Sequence, residues 1–188
     1  MIPNPMPQLT AAQRRLTVLV TGGANSRQIA AEPEIRLRPE GVRDAIDTVL
    51  AATGTRTPAH LAAWATARRI VTRPVHPTGA LITTPALPRR QRQLLRGWAG
   101  GKVNAELAAE MGIASTTVRS YGKAVLAGLG VGCAPQAAVV GVLTGLVLLS
   151  HINPAWPAEP LTGTGPFANG RPPEGRTDAV GTPALVLL

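Results

Sequence analysis

Aromatic side chains are scarce, with three Trp, one Tyr and one Phe among 188 residues. A core built on stacked rings is excluded, and Ala, Leu, Val and Ile must fill it instead. Cys133 is the sole cysteine, so neither an internal disulfide nor a Cys-based zinc site can form. His60, His76 and His151 lie far apart without ligand spacing and read as surface or packing histidines, so neither a metal nor a cofactor is expected. Lysine is almost missing as well: Lys102 and Lys123 are the only two, and arginine supplies the remaining cations. Acids are outnumbered, 10 against 19 basic residues, which leaves a net charge of +9 and favours a polyanionic partner.

Catalytic signatures are absent too. There is no Gly-x-x-x-x-Gly-Lys phosphate loop, no Gly-x-Ser-x-Gly elbow and no paired histidine ligands, so no enzyme is expected. The opening Met1-Ile2-Pro3-Asn4-Pro5 lacks a basic stretch followed by an apolar run, the pattern of a signal peptide, and a cytoplasmic location is expected.

What is present is helical period. In the stretch Leu87–Leu149, apolar residues at Leu107, Ala108 and Met111 are followed by the breaker Gly112, then by Val118, Gly122, Val125 and Leu129 at spacings of three and four. Two short helices joined by a tight turn form a helix-turn-helix. Thr116, Arg119, Ser120 and Lys123 fall opposite the apolar stripe, a row of donors and cations suited to a major groove. Arg119, whose fork can bond two acceptors, is the better candidate for a guanine. Lys102 and Asn104 stand at the start of the preceding helix, where free N–H groups favour a phosphate, and are expected to anchor the DNA backbone.

These residues carry a resemblance. Asn104-Ala105-Glu106-Leu107-Ala108, Thr117-Val118-Arg119-Ser120-Tyr121, Leu129-Gly130-Val131 and Gln136-Ala137, with Leu87 ahead of them, resemble the LuxR-type (GerE-like) helix-turn-helix of bacterial transcription regulators. Pro88 and Val103 stand where that family prefers hydroxyl caps, and Gly128 where it often carries a phosphate-binding lysine. The resemblance implies a four-helix domain over 87–150 that binds double-stranded DNA, with Lys102, Asn104, Thr116, Thr117, Arg119, Ser120 and Lys123 as contacts. It also implies a fourth helix that pairs with its twin in a dimer, here through Val139, Val142, Leu143 and Leu146.

An internal repeat extends the reading to the rest of the chain. Leu9–Leu16 aligns with Leu87–Leu94, Gly22-Gly23 with Gly100-Gly101, and Ala30-Ala31-Glu32 with Ala108-Ala109-Glu110, all at an offset of 78. Val42-Arg43, Val49-Leu50-Ala51 and Gly54 align with Val118-Arg119, Val125-Leu126-Ala127 and Gly130 at an offset of 76, so the first copy carries two extra residues around Glu34–Arg38. Thr10 with Gln13 and Asn25 with Gln28 are capping boxes that open its first two helices. A third helix is expected from Pro39 to about Thr53, with Val42, Ile46 and Val49 inward, and a fourth from Pro58 to Ile70. Glu40, Asp44 and Asp47 make its recognition-helix equivalent acidic, and carboxylates repel phosphates.

The expected architecture is therefore all-α, with two tandem four-helix helix-turn-helix domains. An N-terminal arm occupies 1–8, a degenerate copy 9–71, a Pro-containing linker 72–86, the DNA-binding copy 87–150, and a disordered Pro/Gly-rich tail 151–188. Ala124–Ser150 carries no charge, yet its glycines and Pro135 leave about 13–15 residues of clean helix where a bilayer needs roughly 20. A buried fourth helix explains it better, and no membrane partner is expected. Because a small unit cannot bury such a helix alone, either the two fourth helices pack as an intramolecular pseudo-dimer or two chains pair as a homodimer. The alternative function is a helical module that grips another transcription regulator or RNA polymerase through the fourth helices and the acidic helix, without contacting DNA.

Overall fold

The computed structural model describes residues 7–71 and 86–161, and among them every regular element is helical. Helix α1 (Ala11–Thr21) starts at the capping box of Thr10, whose Oγ1 accepts from the Gln13 N–H while Gln13 Oε1 accepts from the Thr10 N–H. Asn25 and Gln28 do the same for α2 (Ser26–Ala30). After a wide turn, a 3-10 turn at Pro39–Gly41 leads into α3 (Val42–Thr53), stopped by Gly54 at φ +68°. Helix α4 (Pro58–Ala67) opens on Thr57, whose Oγ1 accepts from the His60 N–H.

The same order recurs in α5 (Arg89–Ala99), α6 (Asn104–Met111), α7 (Ser115–Leu129) and α8 (Ala134–Leu143). Gly130 ends α7 at φ +64°, matching Gly54, and a short α9 (Leu149–Ile152) follows. In the second helix of each set the lengths differ. Helix α2 stops after five residues where α6 has eight, because the chain turns to tuck Ile35 into the core and takes Arg36 to φ +51° within the expected insertion.

The core is centred on α4 and α8. Each is apolar on every side, so neither has a face fit for solvent. Residues 59–67 of α4 and 137–143 of α8 are all buried. The two helices pack most extensively on each other, and each also touches the first helix of both sets, α1 and α5.

Their N-termini make matched contacts. The Arg56 N–H donates to His60 Nδ1 at 3.2 Å, and at the equivalent place the Gly132 N–H donates to Gln136 Oε1 at 2.8 Å. Each side chain then lies over a glycine pair from the opposite set. A Cβ on Gly101 would come within 2.6 Å of His60 Nδ1, and one on Gly23 within 2.8 Å of Cys133 Sγ, while Gln136 Nε2 donates to the Gly22 carbonyl at 2.7 Å. Both glycines sit at positive φ, +82° and +78°, so they serve the turn and the close approach together.

Three expectations are corrected. Helix α4 ends at Ala67 rather than Ile70: the chain turns at Arg69, φ +60°, and the Ile70 N–H folds back to the Ala65 carbonyl. Helix α8 ends at Leu143, so Leu146 lies in the following turn, where its carbonyl accepts from Arg96 Nε at 3.1 Å. The expected disordered tail is folded as far as Leu161. Leu149, Ile152, Trp156 and Leu161 are buried, and the Leu149 and Ser150 N–H groups bond to the carbonyls of Glu159 and Pro157. The Arg68 guanidinium lies 5.0 Å from the centre of the Trp156 ring, a cation-π distance. The expected linker other than Ala86, His76 within it, and the tail from 162 onward lie outside the described residues.

Candidate nucleic-acid interface

The turn between α6 and α7 is made by chain conformation rather than by packing. Gly112 takes φ +63° with open space where a Cβ would be, and the Ile113 N–H closes the helix end on the Ala108 carbonyl at 3.0 Å. Ala114 then opens α7 without any side-chain cap, which leaves N–H donors at an exposed helix end. Position 40 shows what the alternative looks like: before α3 the chain places the Pro39 ring and the Glu40 carboxylate.

Along α7, Val118, Gly122, Val125 and Leu129 are buried, while Thr116, Arg119, Ser120 and Lys123 are exposed, as their spacing requires. Thr117 is half-buried at the edge of the stripe. Ser120 Oγ donates to the Thr116 carbonyl at 3.2 Å, so its hydroxyl is held along the helix. Among the described residues Arg119 and Lys123 have no carboxylate within ion-pair distance.

Helix α7 is held against α5 by Trp98. The buried Trp98 ring packs where a Cβ on Gly122 would sit 3.2 Å from Cζ2 and 3.3 Å from Cη2. Its Nε1–H donates to Asn104 Oδ1 at 3.0 Å. Asn104 is thus aimed by a side chain six residues back, and its amide NH2 remains the group able to donate outward. Sequence spacing did not single out Trp98, because the contact runs around a turn rather than along one helix.

The other anchor candidate, Lys102, is paired with Glu110 of its own helix-turn-helix. Glu106 caps α6 by accepting from the Val103 N–H at 2.9 Å. Val103 has no acceptor to return, so half of a capping box is present. Arg56 reaches Glu106 from the first set of helices, Nη2 to Oε1 at 2.6 Å. That hydrogen bond, with the Val103 N–H next, holds the Glu106 carboxyl below the usual range. Both partners are well exposed, so the pair is screened and orients more than it stabilises.

Val139, Val142 and Leu143 are buried within the chain and Leu146 is half-buried. The apolar fourth helices are thus covered by one another, and the part of the alternative interaction surface that relied on them is not exposed. No helix among the described residues is long and apolar enough to cross a membrane; α7 and α8 pass jointly on composition but are bent by 55°. Asp44 and Asp47 of α3 are exposed, as expected of solvated acids.

A helix-turn-helix with an open-ended, cationic second helix is the geometry that suits a major groove. Residues 85–140 match the family model of bacterial regulatory proteins, luxR family, and the match supports a DNA-binding transcription regulator. No curated protein and no solved structure matches the chain.

Proposed function

We propose that this protein is a sequence-specific DNA-binding transcription regulator that inserts α7 into the major groove. The observation that carries the reading is the exposed face of α7, where Arg119 and Lys123 have no ion pair among the described residues, on the helix-turn-helix that the family match covers. Arg119 reads base edges with Lys123 beside it, while Thr116, Thr117 and Ser120 bond to the backbone near the uncapped helix end. Asn104, aimed by Trp98, donates its amide to a phosphate, and Lys102 uses donors that Glu110 leaves over.

We further infer that 9–71 is a second, degenerate copy of the same domain. Its α4 occupies the place of a dimer partner's fourth helix, which supports a pseudo-dimer within one chain rather than a homodimer. Its α3 does not read DNA, since Glu40, Asp44 and Asp47 would face phosphates and forfeit counterion release.

Fluorescence anisotropy on labelled duplex DNA over a salt series tests the reading. Arg119→Ala should cost about 1–3 kcal/mol of specific binding, whereas Lys102→Ala should weaken all sequences alike and flatten the salt slope by about one unit. Unchanged binding in a chain carrying both Arg119→Ala and Lys123→Ala would remove α7 as the reader.

A further inference from the structure

On the side of α5 that faces the 151–154 segment lies a cleft of about 700 Å³, within the size range of small-molecule sites. Arg89, Arg92 and Arg96 line it from one face of α5, together with Gln93, Lys102 and His151. Glu110, the one acid there, is occupied by Lys102. No residue of α7 contributes to the cleft, and Lys102 is the one proposed DNA contact that it shares.

Folding does not account for Arg89 and Arg92. They sit in the first turn of α5, which has no acid, where cations oppose the helix dipole and repel one another, whereas Arg96 lies in the last turn. The repeat provides an internal comparison. A cleft of about 500 Å³ lies against α1, and at the places of Arg89, Arg92 and Arg96 it has Ala11, Arg14 and Val18. The α1 cleft is lined by Arg15, Arg68, Arg69 and Glu34 as well, but there Arg15 is paired with Glu32 and the Arg68 guanidinium lies over the Trp156 ring, so the two clefts differ in how far their cations are already engaged. Among the described residues Arg89 and Arg92 have no ion pair, while Arg96 bonds through Nε to the Leu146 carbonyl and keeps its terminal NH2 groups.

We propose that this cleft binds a small molecule carrying two or more phosphate groups. Arg89 and Arg96 are seven residues apart, a rise of about 10 Å along the helix, more than a single phosphate spans. Guanidinium forks are suited to bidentate phosphate oxygens. The proposal stands whether or not α7 reads DNA.

Calorimetric titration of the full chain with inorganic pyrophosphate tests it. One site per chain is expected, with orthophosphate weaker and the Arg89→Gln, Arg92→Gln double variant at least roughly tenfold weaker, the loss of one charge-assisted hydrogen bond or more. Nitrogen-detected arginine side-chain spectra of the unaltered chain give a readout that needs no variant: pyrophosphate should shift the Nε signals of Arg89, Arg92 and Arg96. Many weak equivalent sites, unchanged affinity in the variant, or shifts centred on Arg119 would overturn the proposal. So would duplex DNA affinity that falls in the double variant while pyrophosphate fails to bind the unaltered chain, because the cleft would then hold DNA backbone.

Discussion

Gly122 is the residue on which the seating of α7 turns. Helix propensity alone says that Gly122→Ala should stabilise the helix interior by about 0.5–1 kcal/mol. The Trp98 ring lies 3.2–3.3 Å from the new Cβ and is itself tied to Asn104, so it cannot retreat freely. We therefore expect Gly122→Ala to lower the melting temperature, and a rise in a thermal scan would show that the ring yields. His60 decides the acid limit in a similar way. Its Nε2 donates to the Ile152 carbonyl at 3.0 Å while Nδ1 accepts from the Arg56 N–H, a pair of bonds that only the neutral ring can make. Burial, aided by the Arg56 charge, lowers its pKa below the ordinary 6.5. The folded state thus favours the neutral ring, and this stability is complete above about 6.5 and lost as pH falls below that value. His60→Gln keeps an acceptor and a donor, as Gln136 does at the equivalent place, but cannot titrate. In urea unfolding, His60→Gln should lose less stability between pH 7.5 and 5.5 than the unaltered chain. Some loss should remain, because burial and Arg96 lower the pKa of His151 as well.

At the scale of elements, the two sets of helices follow the same order but differ in surface chemistry. Helix α7 begins with open N–H donors and carries Arg119 and Lys123, whereas α3 begins behind Pro39 and Glu40 and carries Asp44 and Asp47. The turn before α7 rests on Gly112, whose φ of +63° is unstrained only without a Cβ. With open space around it, Gly112→Ala should cost about 1–2 kcal/mol through backbone conformation alone, read as a drop in unfolding free energy. No loss would mean that the turn tolerates another conformation. Elements of this kind were legible in the sequence because their signals are local: Thr10 with Gln13, Asn25 with Gln28, the stop at Gly112 and the period of Val118, Gly122 and Val125. The Trp98–Asn104 bond was not legible, since it crosses a turn at a spacing no helix period marks. Nor was the packing of 153–161, where Trp156 and Leu161 are buried by the fold without period, among prolines that read as disorder.

For the whole molecule, the decisive contact is that of α4 with α8. Two helices too apolar for solvent cover each other inside one chain, which leaves Val139, Val142 and Leu143 buried within it. If α7 reads DNA as proposed and the acidic α3 does not, a lone half-site rather than a palindrome is the expected target. Selection from a pool of randomised duplex DNA tests this most directly. The unaltered protein should enrich one non-palindromic motif, bound by a single chain, and Arg119→Ala should relax the preference at one position of it. No enriched motif, or a motif kept by the chain with both Arg119→Ala and Lys123→Ala but lost on Arg43→Ala, would contradict α7 as the reader.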